Sequence, residues 1–449
     1  MKRLWFKQAY LATGWANDVS VSIKDGIITE ITSDSERPVN AQSHALALPG
    51  ISNVHSHGFQ RGMAGLSERR GHPDDDFWSW RKIMYRFLDR LTPDDIAAIT
   101  ALAYAEMLET GFTHVGEFHY LLNDPEGLRY TNPAETVASI IEASDMTGIG
   151  LTLLPVFYAH SNFGGANPLP GQRRFLSNID SFATLMSVSR KMLSADSILG
   201  VAPHSLRAIT PHELATVLSY NDDGPVHIHA AEQSKEVDAC IKWSDARPIE
   251  WLLDNAPVDH RWCLIHATHL NKTETTSLAA SGAVAGLCPI TEANLGDGIF
   301  PAIDYLGAGG RIAVGTDSNI MIDAAGELRG LEYSQRLRHQ RRALIATEQC
   351  PSVGAHLFNA ALSGGAQALG ISHGLAVGAS ADIVTLNMSH PSLIGADPET
   401  LIDRWVFASR TDMVDMVWRR GKLCVEAGRH IAWGAITNRY SKTLEKLLS

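Results

Sequence analysis

The chain has 449 residues, 45% apolar and 19% charged, and its 38 Lys and Arg against 49 Asp and Glu give a formal charge of −11. This is an ordinary globular composition, long enough for one large α/β domain and a smaller companion. The negative balance argues against a nucleic-acid or anionic-membrane partner, although a pocket that supplies its own Arg could take a small anionic substrate.

Residues 1–15 are interrupted by Lys7, Gln8 and Tyr10, so no secretory leader is expected. No apolar stretch approaches the roughly 20 residues of a membrane span. Cys240, Cys263, Cys288, Cys350 and Cys424 are odd in number and lack Cys-x-x-Cys spacing. That pattern fits reduced thiols in the cytoplasm.

Taken in chain order, residues 1–48 hold alternating β runs, Asp18 to Ile23 and Gly26 to Ile31, around an Asp25-Gly26 turn signal. Eight short apolar runs follow, near 45–54, 113–118, 149–157, 198–203, 225–231, 262–266, 283–289 and 311–316. Near-continuous Val, Ile, Leu and Ala predicts parallel strands buried on both faces. The segments between them carry helix signals. Thr92-Pro93-Asp94-Asp95 offers an N-cap, a Pro at the first helical position and a capping-box acid, and Gly111 ends that helix. Thr210-Pro211-His212-Glu213 repeats the start.

Eight strand–helix units predict an α/β fold, a (β/α)8 TIM barrel over 49–370. Residues 1–48 and 371–449, with β runs at Ala381 to Leu386 and Val414 to Trp418 before Arg420-Gly421, are expected to form one small β-sandwich domain from both chain termini. The loops 62–80 and 158–175 would leave the functional rim and could act as lids or specificity loops.

The chemistry-bearing residues close these runs. His55-Ser56-His57 ends the first, and residues two apart on a strand point to one side, so both imidazoles would face the barrel mouth. Alone the pair is weak, because chance supplies about one His-x-His in such a chain. Buried, hydrogen-bonded His is the competing reading. Its company strengthens it: His229 followed by Glu232 ends the fifth run, His266 the sixth, and Asp317 the eighth. Three His and one Asp, with a Glu and a further His beside them, suit a metal-activated water and its proton shuttles. His227, deeper on the fifth run, reads as a packed residue.

This constellation resembles the amidohydrolase superfamily, and His-x-x-Glu after the fifth strand resembles its deaminase branch. The resemblance implies metal ligation by His55, His57, His229 and Asp317, with Glu232, His266 and Asp317 as the catalytic groups around the attacking water. The fourth run ends Val201-Ala202-Pro203-His204 with no Lys to carboxylate, which implies one divalent metal. Zn2+ is the expected ion, with Fe2+ and Mn2+ left open by the donor set.

The segment from Leu48 to Gly65, Phe77-Trp78-Ser79-Trp80-Arg81 and Gly116-Glu117-Phe118-His119-Tyr120 is similar to the formimidoylglutamate deiminases of histidine degradation. That resemblance implies hydrolysis of N-formimidoyl-L-glutamate to N-formyl-L-glutamate and ammonia, with Glu232 as proton shuttle. It also implies substrate contacts from Gln60, Arg81, Tyr120, His204 and Arg207, and a homodimer. Two Arg suit a dianionic substrate, since a planar guanidinium binds a carboxylate through paired hydrogen bonds. For Arg173 and Arg174 a surface or structural ion pair is the preferred reading. The alternatives are an aminopurine or adenosine-type deaminase (S-adenosylhomocysteine, guanine) and a non-catalytic barrel scaffold, the latter expected to have lost ligands.

Overall fold

The computed structural model describes residues 2–68, 77–408 and 412–449. From the N-terminus the chain forms β1 (Lys2–Leu11), β2 (Gly14–Lys24), β3 (Ile27–Thr32) and β4 (Gln42–Pro49). The predicted Asp25-Gly26 turn joins β2 to β3, with φ of 52° and 83°, the left-handed pair that a tight two-residue hairpin demands.

The apolar run at 45–54 is two strands. It divides at Gly50, after which β5 (Ile51–Ser56) starts a separate sheet. The division has a local cause. Gly50 N–H still bonds to Asp382 O, whereas Ile51 N–H bonds to Gly111 O, so the chain changes sheets between adjacent residues. The Thr113 side chain lies 2.2 Å from where a Cβ would sit on Gly50, so no larger residue fits this crossing.

Four parallel strands continue the set that β5 opens: β6 (Phe112–His119), β7 (Gly150–Phe157), β8 (Ile198–Leu199) and β9 (Ala202–Pro203). The single fourth strand expected over 198–203 is thus two short pieces, both paired with β7. A second parallel sheet comprises β10 (Val226–Ala230), β11 (Trp262–His266), β12 (Val284–Leu287) and β13 (Arg311–Val314), in that order. Parallel bridges Val201–Val226 and Ser205–His229 join the first sheet to the second, and Ser56–Asp317 joins them again at the other edge. Nearly every residue of these strands is buried, which is why they read as unbroken apolar runs.

The helices begin where the capping chemistry placed them. Thr92 caps Pro93–Thr110 with a reciprocal box to Asp95, and Gly111 ends it at φ 104°. Thr210 caps Pro211–Leu218 with a box to Glu213.

The remaining strands are β14 (Ile383–Leu386), β15 (Val414–Arg419), β16 (Lys422–Glu426) and β17 (Arg429–His430). They join the N-terminal strands in one eight-stranded sheet of order β17-β16-β15-β14-β4-β1-β2-β3. Leu4, Phe6, Val19, Val21, Ile383 and Trp418, drawn from both ends of the chain, share one buried cluster. Two helices stand where the sequence suggested only β segments, Pro398–Ala408 and Trp433–Leu448. Lys446 on the second reaches Asp95 at 2.6 Å, tying the C-terminus to the helix that precedes β6. Among the described residues no helix is long and apolar enough to cross a membrane.

Candidate active site

The ends of β5, β10, β11 and β13 meet. His55, His57, His229 and Asp317 each offer one donor atom, and these atoms all lie within 4.8 Å of one another in buried surroundings. Asp317 reaches the group because the chain leaves β13 through a left-handed residue, with Asp317 itself at φ 45°. His266 (φ 69°) ends β11 in the same way, and Ala231 (φ 52°) turns the chain before Glu232. Such conformations cost about 1–3 kcal/mol each for non-glycine residues and cluster where a site dictates side-chain direction.

A polar lace under the site locks β5 to β13. Asn53 Nδ2 donates to Thr316 Oγ1 (2.7 Å), which donates to Asn319 Oδ1 (2.6 Å), and Asn319 Nδ2 donates to the His57 carbonyl (3.1 Å). The backbone N–H of Asp317 bonds to His55 O at 2.9 Å and that of His57 to Asp317 O at 3.0 Å.

Hydrogen bonds also determine the tautomers. His57 Nδ1 lies 2.9 Å from Phe118 O, and His229 Nδ1 lies 3.0 Å from His204 O. A carbonyl only accepts, so each ring carries its proton on Nδ1 and presents a bare Nε2 to the centre. There His57 Nε2 stands 3.2 Å from Asp317 Oδ1, and His229 Nε2 stands 3.0 Å from His55 Nε2. His57 Nε2 and Asp317 Oδ1, two acceptors face to face, repel unless a cation lies between them. The donor set therefore fits a divalent metal, three imidazoles and a carboxylate being an ordinary ligand group for one.

The charge states agree. Burial drives His55 down to about 3, outweighing the nearby Asp317 carboxylate, and burial with neighbouring imidazoles holds His229 well below its ordinary value. Burial alone would raise Asp317, yet the His55 and His57 rings against it hold its carboxyl well below the usual range. His55 and His229 thus sit as neutral imidazoles beside the Asp317 carboxylate, the forms that bind metal.

Around this centre, His266 Nε2 lies 3.8 Å from Glu232 Oε1 and 3.9 Å from Asp317 Oδ2. Burial opposes charge on His266, but Glu232, Glu292 and Asp317 together push it up to about 10. Burial raises the Glu232 carboxyl, partly offset by His266 and by Arg207, whose guanidinium lies 3.9 Å from Glu232 Oε2. A carboxyl so placed keeps its proton to higher pH than a solvated one, which suits a group that hands a proton on.

One pocket opens onto these groups. Gln60, Arg81, Tyr120, His204 and Arg207 line it together with His57, His229, Glu232, His266 and Asp317. Gln60, on the 3-10 turn Gly58–Met63, donates to Tyr120 Oη at 2.7 Å. Arg81 comes from helix Phe77–Leu88, and Arg207 follows β9. His204 is held far below its ordinary pKa by burial and then by the two Arg, so it is a neutral ring beside them.

His227 is packed as expected, its Nε2 2.7 Å from Ala368 O. Arg174 is buried on backbone carbonyls, including Asn123 O at 3.0 Å, and Arg173 pairs with Asp89 at 2.6 Å. Of the loop 62–80, residues 69–76 lie outside the described residues, and with them the question of that lid.

Glu292, Met84 and Leu295 escaped the sequence reading, and Trp80 entered it only through the segment 77–81. Glu292 receives or shares the His266 Nδ1 proton at 3.3 Å while accepting Cys288 N–H at 2.8 Å. Its signal was a Pro-started helix, Pro289–Leu295, directly after the seventh run. Trp80 and Met84 line the pocket beside Arg81, at helical spacing from one another.

The chain matches the model of the Amidohydrolase family over residues 46–424. It is 46% identical to the formimidoylglutamate deiminase of Pseudomonas aeruginosa over the whole of both chains. It is 28% identical to a 5-methylthioadenosine/S-adenosylhomocysteine deaminase of Natronomonas pharaonis, over 91% of this chain and 88% of that one. Among solved structures, an amidohydrolase from Brucella melitensis superposes with a TM-score of 0.97 at 48% identity, covering both chains completely. The chain belongs to the amidohydrolase family and is a metal-dependent hydrolase of TIM-barrel fold.

Proposed function

We propose that this enzyme hydrolyses N-formimidoyl-L-glutamate to N-formyl-L-glutamate and ammonia. The observation that carries the proposal is a single pocket lined both by two guanidinium groups, Arg81 and Arg207, and by Glu232, His266 and Asp317. A linear amidine with two carboxylates needs both sets. The full-length relative of 46% identity supports the same substrate.

His55, His57, His229 and Asp317 hold the metal in this reading, and Zn2+ is the ion we assign from the three-imidazole, one-carboxylate donors. When bound, such an ion lowers the pKa of a coordinated water to about 7. Asp317 takes a proton from the attacking water as it adds to the formimidoyl carbon, and His266 donates a hydrogen bond to the entering oxygen. Glu232 delivers a proton to the terminal nitrogen of the tetrahedral carbon. Protonation there breaks the bond to ammonia, whereas protonation of the substituted nitrogen would release glutamate. Arg81 and Arg207 bind the carboxylates, while Gln60, Tyr120 and His204 complete their hydrogen bonds.

The same reading closes the two parallel sheets into one (β/α)8 barrel over 49–370, supported by the bridges at both edges. The strands of 1–48 and 371–449 form the β-sandwich domain, supported by their shared apolar cluster. Five free cysteines support a reducing, cytoplasmic setting. A homodimer rests on resemblance to the formimidoylglutamate deiminases.

The test is ammonia release by the zinc-loaded enzyme from N-formimidoyl-L-glutamate, S-adenosylhomocysteine and guanine side by side. The proposal expects turnover of the first at least about a hundredfold above the others, as befits a pocket built for charged groups. Preferential turnover of either ring substrate would overturn it.

A further inference from the structure

Arg81 is held from behind by the loop that follows β7. Its guanidinium donates to Tyr158 Oη at 2.7 Å and lies 5.3 Å over the Tyr85 ring. Tyr158 is only 3% exposed, and its ring packs edge-on against His204 at 4.6 Å. Behind it stands Gln172, fully buried in the turn Pro170–Gln172. Gln172 Oε1 accepts Leu169 N–H at 2.7 Å, which leaves the amide NH2 to donate to Tyr158 Oη, also at 2.7 Å. The phenol oxygen therefore receives two hydrogen bonds, one from a backbone-anchored amide and one from Arg81.

We propose that Tyr158 is a positioning residue for substrate recognition, holding the Arg81 guanidinium in the orientation that receives a carboxylate of a dicarboxylate ligand. This rests on the substrate reading given above. A long guanidinium stem loses side-chain freedom on binding unless it is ordered beforehand, so pre-ordering appears as tighter ground-state binding. A phenol suits the task better than a carboxylate would. It anchors the N–H geometry without cancelling the positive charge that the ligand needs. Gln172 keeps the phenol in place, which makes the loop 158–175 a specificity element acting through Tyr158 and Arg81.

The experiment compares zinc-loaded wild type with Tyr158→Phe, Arg81→Met and the double variant. It reads kcat and KM for N-formimidoyl-L-glutamate, calorimetric Kd for glutarate, and metal content. Tyr158→Phe is expected to raise KM and the glutarate Kd about tenfold, with kcat within about twofold and metal content unchanged. In the Arg81→Met background the same change should add less than about twofold, because the group it positions is gone. Equal effects in both backgrounds, no effect at all, or a loss confined to kcat would overturn the proposal. Should Tyr158→Phe fail to fold, Gln172→Met is expected to give the same KM-only pattern at about threefold, and its absence counts against the proposal equally. If wild type does not turn over the amidine yet binds glutarate with this coupling intact, the substrate reading falls and the Tyr158 role stands. If it turns over the amidine without the coupling, only the Tyr158 role falls. With neither, both fall.

Discussion

His57 Nε2 faces Asp317 Oδ1 across 3.2 Å, although the other ring nitrogen of His57 already spends its proton on Phe118 O. An acceptor thus looks at an acceptor in a buried site. The polar lace from Asn53 through Thr316 to Asn319 maintains that opposition mechanically. The arrangement makes sense as a ligand cage, held ready by the fold.

In the proposed reaction Glu232 carries the proton, so Glu232→Gln should keep its metal and lose about a hundredfold or more in kcat. Its amide keeps the shape and hydrogen bonds but has no proton to exchange. Steady-state kinetics with metal analysis on the same sample decides the point. A variant with full metal and near wild-type kcat would remove Glu232 from the reaction.

Gly315 sets how closely the end of β13 approaches β5. A Cβ there would fall 2.8 Å from His55 N and 2.9 Å from His55 O, both backbone atoms with nowhere to go. Gly315→Ala should therefore destabilise the chain by about 1–3 kcal/mol and, by pushing His55 away, weaken metal retention. Urea denaturation and metal analysis after dialysis measure both. Wild-type values in each would show that the two strands can part without consequence.

His114, whose Nε2 lies 2.9 Å from Thr152 Oγ1, is pushed down to about 3 by burial and then by Arg419. The folded state keeps it neutral, while the unfolded chain takes up a proton below its ordinary pKa of about 6.5. Its contribution to stability is therefore complete above about pH 6.5 and declines by up to about 1.4 kcal/mol per pH unit as pH falls towards 3. His119 and His227, depressed to about 3 and about 4 chiefly by burial, act in the same direction. His114→Asn removes one such proton. Between pH 7 and pH 5 it should lose about 2 kcal/mol less stability than wild type. Parallel losses in urea titrations at the two pH values would contradict this.

The site was legible in the sequence to the extent that it stands at the ends of buried strands. A strand covered on both faces reads as an apolar run, and the first polar residues beyond it must project from one rim. His55, His57, His229, His266 and Asp317 were found in that way, and the structure brings them together. Glu292 was not, because its contact with His266 depends on how β12 aligns beside β11, which no local pattern states. The Tyr158–Arg81 bond joins a loop to a helix distant in sequence, in the same manner. The division of the first run at Gly50 was hidden because an apolar run looks the same whether one sheet or two receive it. Helix Trp433–Leu448 was legible, with Trp433, Ile436, Tyr440, Leu444 and Leu447 three or four residues apart, and was passed over beside the β runs that precede it.

Metal stoichiometry tests the central claim most directly. Purified wild type dialysed against zinc and then buffer should carry about one ion per chain, measured by plasma mass spectrometry, and His229→Ala close to none. Two ions per wild-type chain, none at all, or a His229→Ala variant that loads like wild type would contradict a single cation shared by His55, His57, His229 and Asp317.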